Sequence, residues 1–212
     1  MWNSLLAGFS GMGELLPQTI ATVVRMAVGW GLATLLGVAL GVLIGVSPAA
    51  RAWLMPTLEL VRPLPASAVI PLGIALFGLS QQMVLTVVAF GAMWPVLLAT
   101  THGLASVHPR LGEVASALQL GLGARIFNIG LPAALPDIIP GARLAATIAL
   151  VVSVVGEMLA SQPGLGQSVL LSARAFHTDD LFAGTALLGV VGFATQGILS
   201  LLERRLLLWQ HR

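Results

Sequence analysis

Five runs of apolar residues, each near the length needed to cross a lipid bilayer, constrain this chain more than any motif within it. In windows of about 20 residues, enough for a hydrocarbon core of roughly 30 Å, the runs fall near 19–46, 64–80, 83–101, 138–160 and 181–202. Hydrocarbon offers the backbone no hydrogen-bond partners, so each run must close its own amides as a helix or join a sealed barrel. No ten-residue alternation of apolar and polar positions is present, which removes the barrel. The expected fold class is all-α, a polytopic membrane helix bundle forming one domain over 1–212.

Composition agrees with that reading and closes off several others. Hydrophobic residues make up 57% of the chain and charged residues 8%, whereas soluble domains carry roughly 25% charged residues. The net charge is only +2 and there is no lysine, so no basic surface for nucleic acid is expected. A nucleotide-binding P-loop also needs its lysine. The chain contains no cysteine, which excludes disulfides, thiolate metal sites and cysteine nucleophiles. Met1 to Pro17 has no cationic start, so no cleaved signal peptide is expected.

Arginine positions set the expected orientation, because short cytoplasmic loops retain positive charge. With the N-terminus outside, Arg51, Arg62, Arg110, Arg125, Arg204, Arg205 and Arg212 all fall on the cytoplasmic side. Glu14, Asp179 and Asp180 face Arg174 on the other side, Arg25 lies just inside the first run, and Arg143 sits near the inner end of the fourth. The 106–137 segment is then a cytoplasmic loop and the C-terminus is inside.

Within the first run, Gly29, Ala33, Gly37, Gly41 and Gly45 recur every four residues. They place one smooth stripe on a single helix face, a packing seam for a neighbouring helix of this chain or of another subunit. The second run opens with Pro63-Leu64-Pro65 and contains Pro71. Proline removes a backbone donor and clashes with the preceding turn, so this helix is expected to be kinked or partly broken. Pro65 and Pro71 thus mark either a pathway wall or a simple bend, and Pro95 in the third run carries the same two readings.

The loop changes character. Pro109 suits a first helical turn, and Leu111, Val114, Ala115 and Leu118 recur at helical spacing. Arg110 and Glu113 share another face. Gly121 and Gly123 are expected to stop this helix through the left-handed conformation, with a second short helix running from Ala124 toward Pro132. Helix, glycine turn and helix make a knob able to dock another protein.

That loop resembles the signature of a known family, the inner-membrane permeases of ATP-binding-cassette importers: E-A-A, three residues, G, nine residues, I-x-L-P. Glu113, Ala115, Ile129, Leu131 and Pro132 stand at the family positions with the full spacing, while Val114 replaces the first alanine and Gln119 the glycine. The chain looks closest to the nitrate, sulfonate and taurine subgroup through Leu58 to Pro65, Leu131 to Pro136, Gly156-Glu157-Met158, Gly164-Leu165-Gly166 and Leu202 to Arg205. The subgroup usually has a further N-terminal span. Five are expected here, either because the permease is minimal or because the natural start lies upstream.

The resemblance implies a multi-pass protein of the bacterial inner membrane that forms a transport pathway with a second, identical or different, permease subunit. Two cytoplasmic ATPase subunits would receive the loop at Glu113, Val114, Ala115, Leu118, Gln119, Gly121, Ile129, Leu131 and Pro132, and an extracytoplasmic binding protein would deliver cargo. ATP would be used by the partner, with no cofactor on this chain. Small anions such as sulfonates, taurine or nitrate are the implied cargo.

Other candidates come from chemistry alone. Glu157 is the only carboxylate expected inside a run, and a charge in lipid calls for a cavity, a partner or a function. It either serves the pathway or a gate, or sits at the outer interface, paired with Arg174 or capping the 161–166 turn. Arg143 snorkels to the cytoplasm or braces the loop, or else attracts an anion. His102, His108, His177 and His211 lack metal-ligand spacing, and no serine has an in-span base to activate it. Trp2, Trp30, Trp53, Trp94 and Trp209 read as interface anchors or packing residues. A membrane enzyme therefore has no nucleophile, metal set or acid/base pair. An ATP-independent secondary transporter or channel-like bundle remains the alternative; such proteins show repeated halves and several intramembrane ionisable groups, and here only Glu157 qualifies.

Overall fold

The computed structural model describes residues 12–61 and 63–206; Trp2, Arg62, Trp209, His211 and Arg212 lie outside the described residues. Among those described, every regular element is helical: α1 (Met12–Gly45), α2 (Pro48–Val61), α3 (Ala66–Phe77), α4 (Gln81–Ala105), α5 (Pro109–Ala117) and α6 (Leu122–Arg125). A π-turn over Ile126–Gly130 leads into α7 (Leu131–Ala160), followed by α8 (Leu165–Arg174) and α9 (Thr178–Leu206). Among the described residues four stretches are continuous and apolar enough to cross a membrane: Leu15–Gly45, Gln81–Ala105, Leu122–Ala160 and Thr178–Leu206. A bent pair, α2 and α3, meeting at 87°, makes a fifth when counted as one broken span.

The glycine stripe explains how α1 is held. A methyl group added at Gly29 would strike Val88, at Gly37 would lie 2.8 Å from Val96 Cβ, at Gly41 2.6 Å from Thr100 Cβ, and at Gly45 3.0 Å from Leu104 Cβ. Ala33, between them, is completely buried. The seam therefore lies within the chain, against α4. Lipid supplies no hydrophobic drive for helices to associate, so this contact rests on close van der Waals approach, which small residues permit.

Each of the four pairs is 59 positions apart (29 with 88, 37 with 96, 41 with 100, 45 with 104). A constant offset means that α1 and α4 run parallel, so the chain must return across the bundle between them. The α2–α3 pair makes that return. Its 14 and 12 residues supply legs of roughly 21 and 18 Å at the helical rise of 1.5 Å per residue. The break falls at the Pro63-Leu64-Pro65 turn, with Pro65 as the N-cap of α3, while α3 continues through Pro71.

α7 packs antiparallel to α4: Gly156 abuts Val84, Gly141 abuts Ala99, and Gly103 abuts Ala134. The core is built from Val84, Val88, Ala92 and Val96 of α4 with Ala145, Ala149 and Val152 of α7. The Trp30 indole on α1 donates to the Ala142 carbonyl at 2.8 Å, tying α1 to α7. α9 runs antiparallel to α7, held by Arg143 Nε donating to Gln196 Oε1 at 2.8 Å and Arg143 Nη1 to Glu203 at 3.3 Å. Arg143 thus braces the last span. This topology puts Arg51, Arg110, Arg125, Arg204 and Arg205 at one end of the bundle and Asp179, Asp180 and the α7–α8 turn at the other.

Candidate functional site

Two places gather the residues marked by the sequence. The first is the α4–α7 connection. Pro109 opens α5 behind an unusual cap: the His108 ring Nδ1 accepts the Arg110 amide at 3.2 Å. At the other end Leu120 N donates to Ala115 O and Gln119 N to Ser116 O, both at 3.0 Å, the paired bonds of a Schellman turn. Such a turn needs one residue in the left-handed region, and that residue is Gln119, at φ 52°. Gly121 does not stop the helix as expected: it is at φ −63° and caps the start of α6. The turn geometry is thus made by glutamine at the position where the family signature has glycine.

α5 buries Ala115 but leaves Val114 (49% exposed) and Leu118 (64%) outside, joined by Leu122 and Phe127. Glu113 also stands exposed, and among the described residues it makes no ion pair. The knob is not a floppy appendage. Residues Leu122–Ala160 form one helical run through the π-turn, so residues 131–137, expected in the loop, begin the long helix, with Pro132 in its first turn. Ile129 is half-buried beside it. A methyl group at Gly130 would lie 2.9 Å from Leu104 Cδ2, so the adjoining ends of α4 and α7 are clamped together next to the knob.

The second place is at the opposite end. Glu157, completely buried on the last turn of α7, pairs with Arg25 Nη1 of α1. It also accepts Thr22 Oγ1 at 3.0 Å and the Gly166 amide at 2.9 Å. Thr22 Oγ1 in turn accepts the Leu165 amide at 2.9 Å, and Arg25 Nη2 donates to Pro163 O at 3.2 Å. The partner is therefore Arg25 rather than Arg174, and the carboxylate also caps the turn that follows its own helix. Ser161 takes the left-handed conformation there, φ 50°. A side chain at Gly164 would occupy the space of the Glu157 carboxylate, and one at Gly166 would strike the Val154 carbonyl and lie 3.0 Å from Glu157 Oε2, which gives those glycines a steric reason.

The remaining candidates do not join either place. Pro65 and Pro71 are exposed on the bent pair. His102 lies 3.9 Å from Asp137 and His177 3.7 Å from Asp180, both pairs well exposed. Among the described residues no cluster of His, Asp or Glu could hold a metal ion. The sequence reading did not assign Thr22 and placed Arg25 only for orientation. A lone arginine in one apolar run and a lone carboxylate in another carried the signal, since lipid forces opposite charges together.

Comparison with known proteins places this geometry. Residues 33–208 match the family described as binding-protein-dependent transport system inner membrane component. The chain is 36% identical over 199 residues to the putative aliphatic sulfonates transport permease SsuC of Bacillus subtilis, covering 94% of this chain and 72% of that one. It is 30% identical over 189 residues to the taurine transport system permease TauC of Escherichia coli, covering 89% and 69%. The fold matches a crystal structure of the MetNI methionine ABC transporter with TM-score 0.77 and 19% identity, over 92% of this chain and 97% of that one. The chain belongs to the binding-protein-dependent transport system inner membrane component family, the permeases of ATP-binding-cassette importers.

Proposed function

We propose that this chain forms the substrate pathway of an importer with a second permease subunit, and that the α5–α6 knob is the point at which separate ATPase subunits drive it. The observation carrying the reading is the knob itself: exposed Val114, Leu118 and Leu122 on a capped turn, continuous with the long helix through Ala160. Exposed apolar side chains rimmed by polar ones suit a protein contact. A push on the knob reaches α7 and, through the Gly130–Leu104 and Gly103–Ala134 contacts, α4. ATP is hydrolysed on the partner, and an extracytoplasmic binding protein hands over cargo. The arginine-rich end is cytoplasmic, which sets the N-terminus outside. The relatives named for sulfonates and taurine support a small anion as cargo.

The test uses Leu118→Asp and Gly121→Trp. The first side-chain carbon at Gly121 meets nothing within 4 Å, so the backbone position itself has room and the variant is aimed at a partner. Both variants are expected to accumulate in the membrane yet lose the co-purifying ATPase and cargo uptake. Normal co-purification and uptake in both would defeat the coupling role.

A further inference from the structure

Between the knob and the bundle lies a cavity of about 400 Å³, lined by the ends of α1 and α4, by Leu111 and Gly112 of α5 and by the residues leading into α7. Its charged side chains are of one sign: Arg51 and Arg125 line it, beside His108, and no carboxylate does. Among the described residues neither arginine has an ion-pair partner; Arg125 only reaches the Gly112 carbonyl at 3.4 Å. Because His108 Nδ1 accepts the Arg110 amide, its Nε2 is the ring's remaining donor. The back wall is apolar, with Gly45, Leu104 and Ile129, so the site sits where the long helices leave the hydrocarbon.

We infer that this cavity holds the phosphate headgroup of an anionic glycerophospholipid. Basic pockets among helix ends suit such headgroups, whereas a soluble anion would have no use for the adjoining surface. That surface is an apolar track on α1, Leu32, Leu36, Leu40, Leu43 and Val46, all exposed and spaced at three and four residues along one face. Val46 belongs to both track and cavity, so acyl chains laid along α1 deliver the phosphate to Arg51 and Arg125. A bound headgroup bridges α2 to the α6 end of the knob.

The test titrates the purified full chain, with whatever subunits co-purify, in detergent against phosphatidylglycerol, phosphatidylcholine and inorganic phosphate. Binding is read by native mass spectrometry and thermal shift. Phosphatidylglycerol is expected to bind and stabilise, and phosphatidylcholine and phosphate to do neither. Arg51→Ala/Arg125→Ala should weaken phosphatidylglycerol roughly 30-fold, Arg51→Lys/Arg125→Lys should retain most of the affinity, and Arg204→Ala/Arg205→Ala should leave it unchanged. Equal binding of phosphate, equal binding of phosphatidylcholine, or an unaffected Arg51/Arg125 double variant would each overturn the inference. The readout uses neither uptake nor ATP hydrolysis, so its failure leaves the importer reading standing.

Discussion

Removing Glu157 is the sharpest perturbation available. In Glu157→Ala the Arg25 guanidinium, only 5% exposed, keeps Pro163 O as its one acceptor, while the Gly166 amide and the Thr22 hydroxyl lose theirs. Breaking a buried pair by deleting one partner costs about 3–5 kcal/mol. At roughly 2–4 °C per kcal/mol for a chain of this size, the thermal midpoint in detergent should fall by about 10 °C. Arg25→Ala should fall comparably, because it strands the carboxylate instead. The double variant Arg25→Met/Glu157→Met removes both charges and leaves the Gly166 and Thr22 donors unpaired, about 1–3 kcal/mol each, as Glu157→Ala already does, but strands no buried ion. The double should therefore be more stable than Glu157→Ala and lose less than the two singles summed. Additive losses in this cycle, or singles within 1–2 °C of the parent (about 0.5 kcal/mol), would refute the account of Glu157 as the clasp between α1 and α7.

The remaining predictions read single positions. Gln119→Gly should slow amide hydrogen exchange at 118–120 by a few-fold, since relief of left-handed strain, about 1–2 kcal/mol, exceeds glycine's entropic cost of about 0.5–1 kcal/mol; Gln119→Val should speed exchange, and the opposite order would exclude the turn. On α1, Gly41→Val drives side-chain atoms into Thr100 and the Leu97 carbonyl and should lower accumulation in the membrane sharply. Gly31→Val, with nothing within 4 Å of its first carbon, should accumulate as the parent does. Arg143→Met removes the bonds to Gln196 and Glu203 and should loosen α9, read as faster proteolysis between α8 and α9, while leaving α1–α4 cross-linking unchanged.

Most of the bundle was legible in the sequence because lipid leaves the backbone one option: an apolar run must close its own hydrogen bonds. The four-residue stripe marked α1's packing face for the same local reason, since i and i+4 share a face. The loop's position was readable from its polarity, but its turn was not. Glycines drew attention to 121 and 123, whereas the bonds from Leu120 and Gln119 back to Ala115 and Ser116 forced the left-handed residue to be Gln119. Helical propensity does not record which residue a cap will strain.

The sequence by itself determined an all-helical membrane chain, its polar knob and the presence of a lone arginine in its first apolar run and a lone carboxylate in its fourth. Only the tertiary structure decided that the α1 stripe packs on α4, that Gln119 makes the left-handed turn, and that Arg25 meets Glu157 across 132 positions. The physical reason is range. Backbone closure and helix faces depend on residues a turn apart, while a stripe's partner and a buried charge's partner are fixed only when distant helices are brought into contact.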